Sequence, residues 1–237
     1  MKPKTVTELQ DMVRSPERLI PRGGGSKPTL MSWAVDAERV ELTQLSGILQ
    51  YQPDEFTFTA QAGTPLAEVE KVLEQYGQYL PFDPPMVKSG GTLGGTVASG
   101  LSGPGRYRYG GVRDFLLGVV FIDGQGQALR GGGKVVKNAA GFDLPKLMVG
   151  SLGQYGILVE LTFKVFPRPV TYSTLCIDYE SVSEALSDLT RLSTAPLEIF
   201  ALDMWPGENE VSLRVRLGGP SDAFPRRRER LLKVIDR

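Results

Sequence analysis

The sequence predicts an α+β fold in two parts: a glycine-rich domain over residues 1–169 and a smaller, incomplete α+β layer over 170–237. Three observations carry this. Glycine is concentrated in the middle of the chain, in S-G-G-T-L-G-G-T-V-A-S-G from Ser89, Y-G-G-V-R-D from Tyr109 and S-L-G-Q-Y-G-I-L from Ser151. The triple glycine Gly23–Gly25 and the clusters Gly90–Gly95 and Gly150–Gly156 each follow a β-like segment. Beyond Pro167 and Pro169 the texture changes to a β-α-β-β-α order, most of a split βαβ layer without its final strand. A short natural variant and a truncated chain would both read this way.

Taken in order, Val6, Leu9, Met12 and Val13 form the apolar stripe of a short helix. R-L-I-P-R runs as a strand into the Gly23–Gly25 turn. Short strands follow around Leu42 and from Phe56 to Ala62, with Phe56 and Phe58 on one face. Thr64-Pro65 opens a helix, with Thr64 as cap and Pro65 in the first turn. Its buried stripe is Leu66, Val69, Leu73 and Tyr76, and Gly77 ends it. L-P-F-D-P-P is irregular. Asp123-Gly124 joins a hairpin, and G-I-L-V-E-L-T-F-K-V-F is a long strand with Ile157, Val159, Leu161, Phe163 and Val165 on one face. In the second part, strands over T-Y-S-T-L-C-I-D-Y, E-I-F-A-L-D-M-W and E-V-S-L-R-V-R-L accompany two helices. The first of these helices aligns Val182, Leu186 and Leu189. The second buries Leu231, Leu232 and Ile235 and leaves Arg226 to Arg230 wet.

Composition removes several chemistries. The formal net charge is zero, so no overall field attracts nucleic acid. The chain has no histidine, which excludes Ser-His-Asp catalysis, histidyl metal sites, a histidyl base and a histidyl-flavin bond. A single cysteine, Cys176, excludes an intrachain disulfide and an intrachain four-cysteine cluster; within its strand it reads as a structural residue. No long apolar run and no leader-like start occur, so the expectation is a soluble cytoplasmic protein, held at the inner membrane only through partners.

Glycine loses more backbone freedom on folding than any other residue. Three glycine loops after β-like segments are therefore read as places where backbone approaches a large phosphate-bearing cofactor, whose pyrophosphate free N–H groups can meet. Two nucleotide signatures fail. G-G-G-S-K at Gly23–Lys27 lacks P-loop spacing, and Asp123-Gly124-Gln125-Gly126 is only half of a dinucleotide fingerprint, at a hairpin tip. Arg106, Arg108 and Arg113 read either as anion contacts or as solvated charge beside Asp114. Lys134 and Lys137, beside Asn138, read either as phosphate contacts or, for Lys137, as a partner of Asp143.

P-R-G-G-G-S-K, A-G-T-P-L-A-E-V-E-K-V-L, G-T-L-G-G-T-V-A-S-G, Y-G-G-V-R-D and G-S-L-G-Q-Y-G-I-L-V-E-L-T-F-K-V-F-P-R-P resemble, in order, the FAD-binding domain of the vanillyl-alcohol oxidase / p-cresol methylhydroxylase (PCMH) type. G-Q-Y-L-P-F-D-P-P and G-K-V-V-K-N-A-A-G-F-D-L-P-K-L resemble the FAD-binding subunits of bacterial glycolate oxidases. The resemblance implies a two-subdomain PCMH-type domain clasping an extended FAD, followed by an incomplete ferredoxin-like cap. It implies a first pyrophosphate loop of Arg22, Gly23, Gly24, Gly25, Ser26 and Lys27. A second wall would comprise Pro84, Pro85, Thr92, Gly94, Gly95, Ala98 and Ser99, and Gly156 and Ile157 would offer backbone groups to the adenine end. No residue matches the family's flavin-linking histidine or cysteine, so FAD would be non-covalent. A glycine usual shortly after the S-K pair is also missing, since the chain continues P-T-L-M.

The implied partners are a homologous flavin-bearing catalytic subunit and an iron–sulfur subunit, with a small 2-hydroxy acid as substrate and no nucleic acid. The implied role is a flavoprotein subunit supporting glycolate oxidation to glyoxylate. The alternatives are a self-sufficient 2-hydroxyacid dehydrogenase and a cofactor-free structural subunit.

Overall fold

The structure is a computed structural model that describes residues 1–15, 17–31, 36–133, 142–207 and 210–236. Lys134, Lys137 and Asn138 lie outside the described residues. The chain separates into two compact units: Met1–Gly103 with Gly111–Pro167, and Pro104–Gly110 with Arg168–Arg237.

The first unit begins with α1 (Val6–Arg14), capped by the Thr5 hydroxyl, which accepts from Glu8 N–H. Strands β1 (Leu19–Arg22) and β2 (Glu38–Glu41) pair in parallel. Next come β3 (Ile48–Gln52), β4 (Thr57–Gln61), α2 (Leu66–Glu74), β5 (Gln78–Tyr79) and α3 (Leu93–Ser99). The single turn α4 (Arg106–Tyr109) belongs to the second unit. Then follow α5 (Val112–Phe115), β6 (Leu116–Ile122), β7 (Ala128–Gly132), α6 (Leu144–Met148), β8 (Ile157–Lys164) and β9 (Phe166–Pro167). The main sheet is antiparallel, ordered β3-β4-β8-β6-β7.

Alternation along β8 puts Val159, Leu161 and Phe163 inside. Phe163 stacks on Phe58 at 5.8 Å and on Phe82 at 6.1 Å, and Phe82 meets Phe115 at 5.5 Å. A second cluster joins Leu9 of α1 to Val40, Leu42, Leu45, Ile122 and Ile157. The β6–β7 hairpin forms as expected. Its turn runs from Asp123 to Gln127, with the Asp123 carboxylate accepting from Gln125 N–H and Gln127 N–H.

Several local expectations are corrected. Strand β3, which pairs with β4, was not among the expected elements. Phe56 is outside β4, at φ 52°, as the cap of the turn Pro53–Glu55, and only Phe58 is buried. Thr64 does not cap α2. Its hydroxyl accepts from Gly47 N–H at 2.9 Å and lies 2.7 Å from the Gln61 carbonyl, so it ties the entrance of β3 to the end of β4. Tyr76 is exposed, edge-on to Tyr51. The segment after β2 turns into a single 3₁₀ turn at Leu42–Gln44.

In the second unit, β10 (Thr171–Tyr179), α7 (Val182–Thr194), β11 (Ala201–Pro206), β12 (Val211–Gly219) and α8 (Phe224–Val234) follow the expected order. Strand β12 lies between β10 and β11, antiparallel to both, which is the split βαβ arrangement. The buried stripe of α7 is Ala185, Leu189 and Leu192, while Val182 and Leu186 are exposed. Small Ala185 lets the helix approach the sheet, and this rotates the two larger residues outward. Arg227, expected on the wet face of α8, reaches back to the carbonyls of Gly218 and Glu198, each at 2.6 Å. Cys176 faces solvent on the outer face of the sheet, opposite Arg214, so it is no core residue.

Candidate functional site

Within the first unit a cleft open to solvent is walled by three loops. The loop after β1 supplies Arg22, Gly23, Gly24, Gly25, Ser26 and Lys27. Helix α3 and its approach supply Thr92, Gly94, Gly95, Ala98 and Ser99. The loop before β8 supplies Gly156. All these residues come from the sequence-derived set. Pro84, Pro85 and Ile157 do not line the cleft: Pro84 is buried, Pro85 half-buried, and the Ile157 side chain sits in the core with Leu9 and Ile122. The sequence reading missed an apolar portion of the lining, in which Leu30, Leu42, Ala62, Leu152 and Leu158 take part. Isolated apolar residues at strand ends look like core in a sequence, and only the fold turns them toward one cavity.

The three loops are held by backbone contact. A Cβ on Gly24 would collide with the Gly90 carbonyl, and one on Gly23 with the Thr92 hydroxyl, so the first loop lies directly on the second. Gly150 N–H donates to the Val97 carbonyl and Leu152 N–H to the Ala98 carbonyl, both at 2.9 Å. The third loop thus bonds to carbonyls at the end of α3: Ala98, and Val97, which Gly100 N–H also reaches at 3.1 Å. Leu152 is held at φ 50°, a strained conformation for a non-glycine residue, on the cleft wall.

Much of the glycine density serves loop-on-loop packing, and Gly94 illustrates it. A Cβ there would stand 2.8 Å from the Ala62 Cβ and 2.8 Å from its carbonyl oxygen, so the obstacle is protein. Gly95 differs, because its Cβ would meet only the Thr92 hydroxyl, at 3.1 Å, and otherwise open space.

The N–H groups at the start of α3 are already used. Leu93 donates to the Thr64 carbonyl at 2.9 Å, Gly94 to the Ala62 carbonyl at 2.7 Å, and Gly95 to the Thr92 hydroxyl at 3.2 Å. The first loop is the opposite case. Among the described residues, none of the backbone N–H groups from Gly23 to Lys27 has an acceptor. Five consecutive donors beside a cavity are suited to a phosphate. Lys27 adds charge: it is half-buried, and burial pulls its pKa below the usual 10.5. Among the described residues, Arg22 is the other cation of the lining and no carboxylate contributes to it.

The other candidate cations lie elsewhere. Arg113 and Lys146 belong to a separate cavity of the first unit, where Lys146 pairs with Asp143 at 3.1 Å. Asp114 accepts from Gly111 N–H at 2.9 Å and does not pair with Arg113. In the second unit Arg108 lies 4.4 Å from the Phe200 ring centre and 5.6 Å from that of Tyr109. Among the described residues no cluster of histidine, cysteine or carboxylate side chains fit for a metal ion occurs, and no helix is long and apolar enough to cross a membrane.

Known proteins with this pattern share both sequence and fold. The chain is 40% identical over 213 residues to the glycolate oxidase subunit GlcE of Escherichia coli, covering 90% of this chain and 59% of that protein. It is 31% identical over 209 residues to the glycolate oxidase subunit GlcD of Bacillus subtilis, covering 86% and 44%. The chain thus spans about half the length of these relatives. Among solved structures, an alkyldihydroxyacetonephosphate synthase superposes with a TM-score of 0.81 at 20% identity, over all of this chain and 50% of that one. That likeness fixes the fold as the PCMH type. The profile of a family described as "FAD binding domain" matches residues 1–132, more than half of the chain, and the chain belongs to that family of FAD-binding domains.

Proposed function

We propose that this chain is the FAD-holding part of a glycolate oxidase subunit, and that it supports oxidation of glycolate to glyoxylate within a multi-subunit complex. The observation that carries this reading is the cleft itself. Among the described residues, five backbone donors without an acceptor and Lys27 lie at its first loop, apolar side chains extend it, and no carboxylate faces into it. When bound, FAD supplies two-electron oxidation and reduction. The chain's own residues bind and orient it. Gly23 to Lys27 hold the pyrophosphate, Gly95, Ala98 and Ser99 form the facing wall, and Gly156 borders the adenine end. Gly94 seats that wall against Ala62. The Ile157 side chain is in the core, so only its backbone remains for the cofactor, and Pro84 and Pro85 act outside this cleft. Residues 1–169 form the FAD-binding domain and 170–237 a partial cap; the change of compact unit after Pro167 supports this boundary, while Pro104–Gly110 groups with the second unit.

FAD is held without a covalent bond, and electrons pass onward to an iron–sulfur partner, since the chain has one cysteine and no histidine. Proton removal from the substrate falls to a homologous catalytic subunit, through which any membrane attachment is also made. The test is a visible spectrum of the purified chain before and after adding FAD, and then glycolate. Uptake of FAD without bleaching by glycolate is expected. A chain that takes up no FAD overturns the proposal, and bleaching without partners establishes the self-sufficient dehydrogenase instead.

A further inference from the structure

Every cation placed in an apolar-walled cleft without a carboxylate is a burden on the empty protein, because burial disfavours the charged form. Lys27 is in that position. It is half-buried, lines the cleft, and has no acceptor among the described residues. Arg22, the other cation of the lining among the described residues, curls back over Gly25, with its Nε 2.6 Å and its Cζ 2.9 Å from where a Gly25 Cβ would stand. Lys27 is thus the side chain with charge to give to a ligand. Resting on the reading above, we propose that the Lys27 ammonium sets the preference of this cleft for a phosphate-bearing ligand, at a cost to the stability of the ligand-free chain. Its depressed pKa agrees with the second half of that statement.

The two halves make opposite demands on one substitution. Lys27→Met keeps the stem and removes the charge. It is expected to raise the melting temperature of the ligand-free protein and to weaken FAD about 10- to 100-fold, the usual range for one charge-assisted contact. ADP, which keeps the pyrophosphate, should weaken in the same ratio. Riboflavin, which carries no phosphate, should bind wild type and variant alike, and Lys27→Arg should recover most of the FAD affinity.

Calorimetric titration of wild type and both variants with FAD, ADP and riboflavin, alongside thermal scans of the ligand-free proteins, reads each quantity. Equal FAD affinity in wild type and Lys27→Met overturns the role of Lys27 and leaves the flavin site standing. A parallel loss of FAD and riboflavin also overturns it, since the substitution has then damaged the cleft in general. A lower melting temperature for Lys27→Met overturns the stability cost. A folded wild-type chain that binds neither FAD nor ADP removes the flavin reading itself, and the inference with it.

Discussion

Gly94 N–H donates to the carbonyl oxygen of Ala62 at 2.7 Å, and the Cβ of Ala62 stands 2.8 Å from where a Gly94 side chain would begin. The first turn of α3 is pressed onto the end of β4, closely enough that glycine alone fits. Its neighbour Gly95 faces the cleft. Neither residue has a positive φ, so the need for glycine is one of space and not of backbone angle.

The two positions should therefore respond differently. Gly94→Val forces Ala62 and α3 apart and should destabilise the ligand-free protein by about 1–3 kcal/mol, the range for overpacking a well-packed site. Gly95→Val should leave ligand-free stability within about 1 kcal/mol, since a helical glycine is itself unfavourable by roughly that amount. It should weaken FAD instead. Urea unfolding of both ligand-free variants, followed by FAD titration, separates the effects. A destabilised Gly95→Val with unchanged FAD affinity would remove Gly95 from the cofactor wall.

Thr64 is fully buried and serves three backbone groups, those of Gly47 and Gln61. Thr64→Val keeps the shape and strands those groups, and should cost about 1–3 kcal/mol, the penalty for unsatisfied buried polar groups. Thr64→Ser should recover most of it. Since Leu93 N–H also bonds to the Thr64 carbonyl, hydrogen exchange at Leu93 should quicken in the valine variant. An unchanged urea midpoint would show that water takes over the bonds.

What could be read from the chain followed a physical rule. Period-2 alternation along Ile157–Phe163 and the Asp123-Gly124 turn act locally, and both held. The Gly23–Gly25 loop was legible as a cleft wall because its three glycines directly follow a strand, and the structure places it there. Errors arose where tertiary packing decides between equivalent local choices. Thr64 before a proline looks like a helix cap, but nearby Gly47 N–H claims its hydroxyl. In α7 the apolar pattern fits either Val182, Leu186 and Leu189 or Ala185, Leu189 and Leu192, and only the approach of the helix to β12 selects the second. Gly94 lines the cleft as expected, but sequence cannot show that Ala62 stands behind it and by itself demands a glycine there.

Arg227 donates to the carbonyls of Gly218 and Glu198 at 2.6 Å each, joining α8 to the end of β12 and to the segment before β11. Arg227→Met should destabilise the second unit by about 1.5–3 kcal/mol, the usual worth of hydrogen bonds to a charged group. Its neighbours Arg226 and Arg228 have no such contacts among the described residues, and changing either to Ala should stay within about 0.5 kcal/mol. Thermal scans of the three variants check this. Equal effects at all three positions would mean that charge, not the carbonyl contacts, is what α8 needs.

The pH dependence of Lys27 has an unusual sign. Most lysines gain a partner on folding, and their folded pKa rises. Lys27 is buried without one, and its pKa falls below 10.5. Between that lowered value and 10.5 the unfolded chain binds more protons than the folded one, so this residue's contribution to stability rises with pH. Its destabilising effect is full at neutral pH and fades as pH approaches 10.5. Other groups cancel in the difference between wild type and Lys27→Met. The higher melting temperature of the ligand-free variant should therefore hold at neutral pH and shrink as pH rises through the lowered pKa toward 10.5. With saturating FAD the order reverses, wild type being the more stable near pH 7, and that advantage should be lost as Lys27 gives up its proton. A ligand-free difference that stays constant or widens over this range would show that Lys27 is not a desolvated cation in the folded chain.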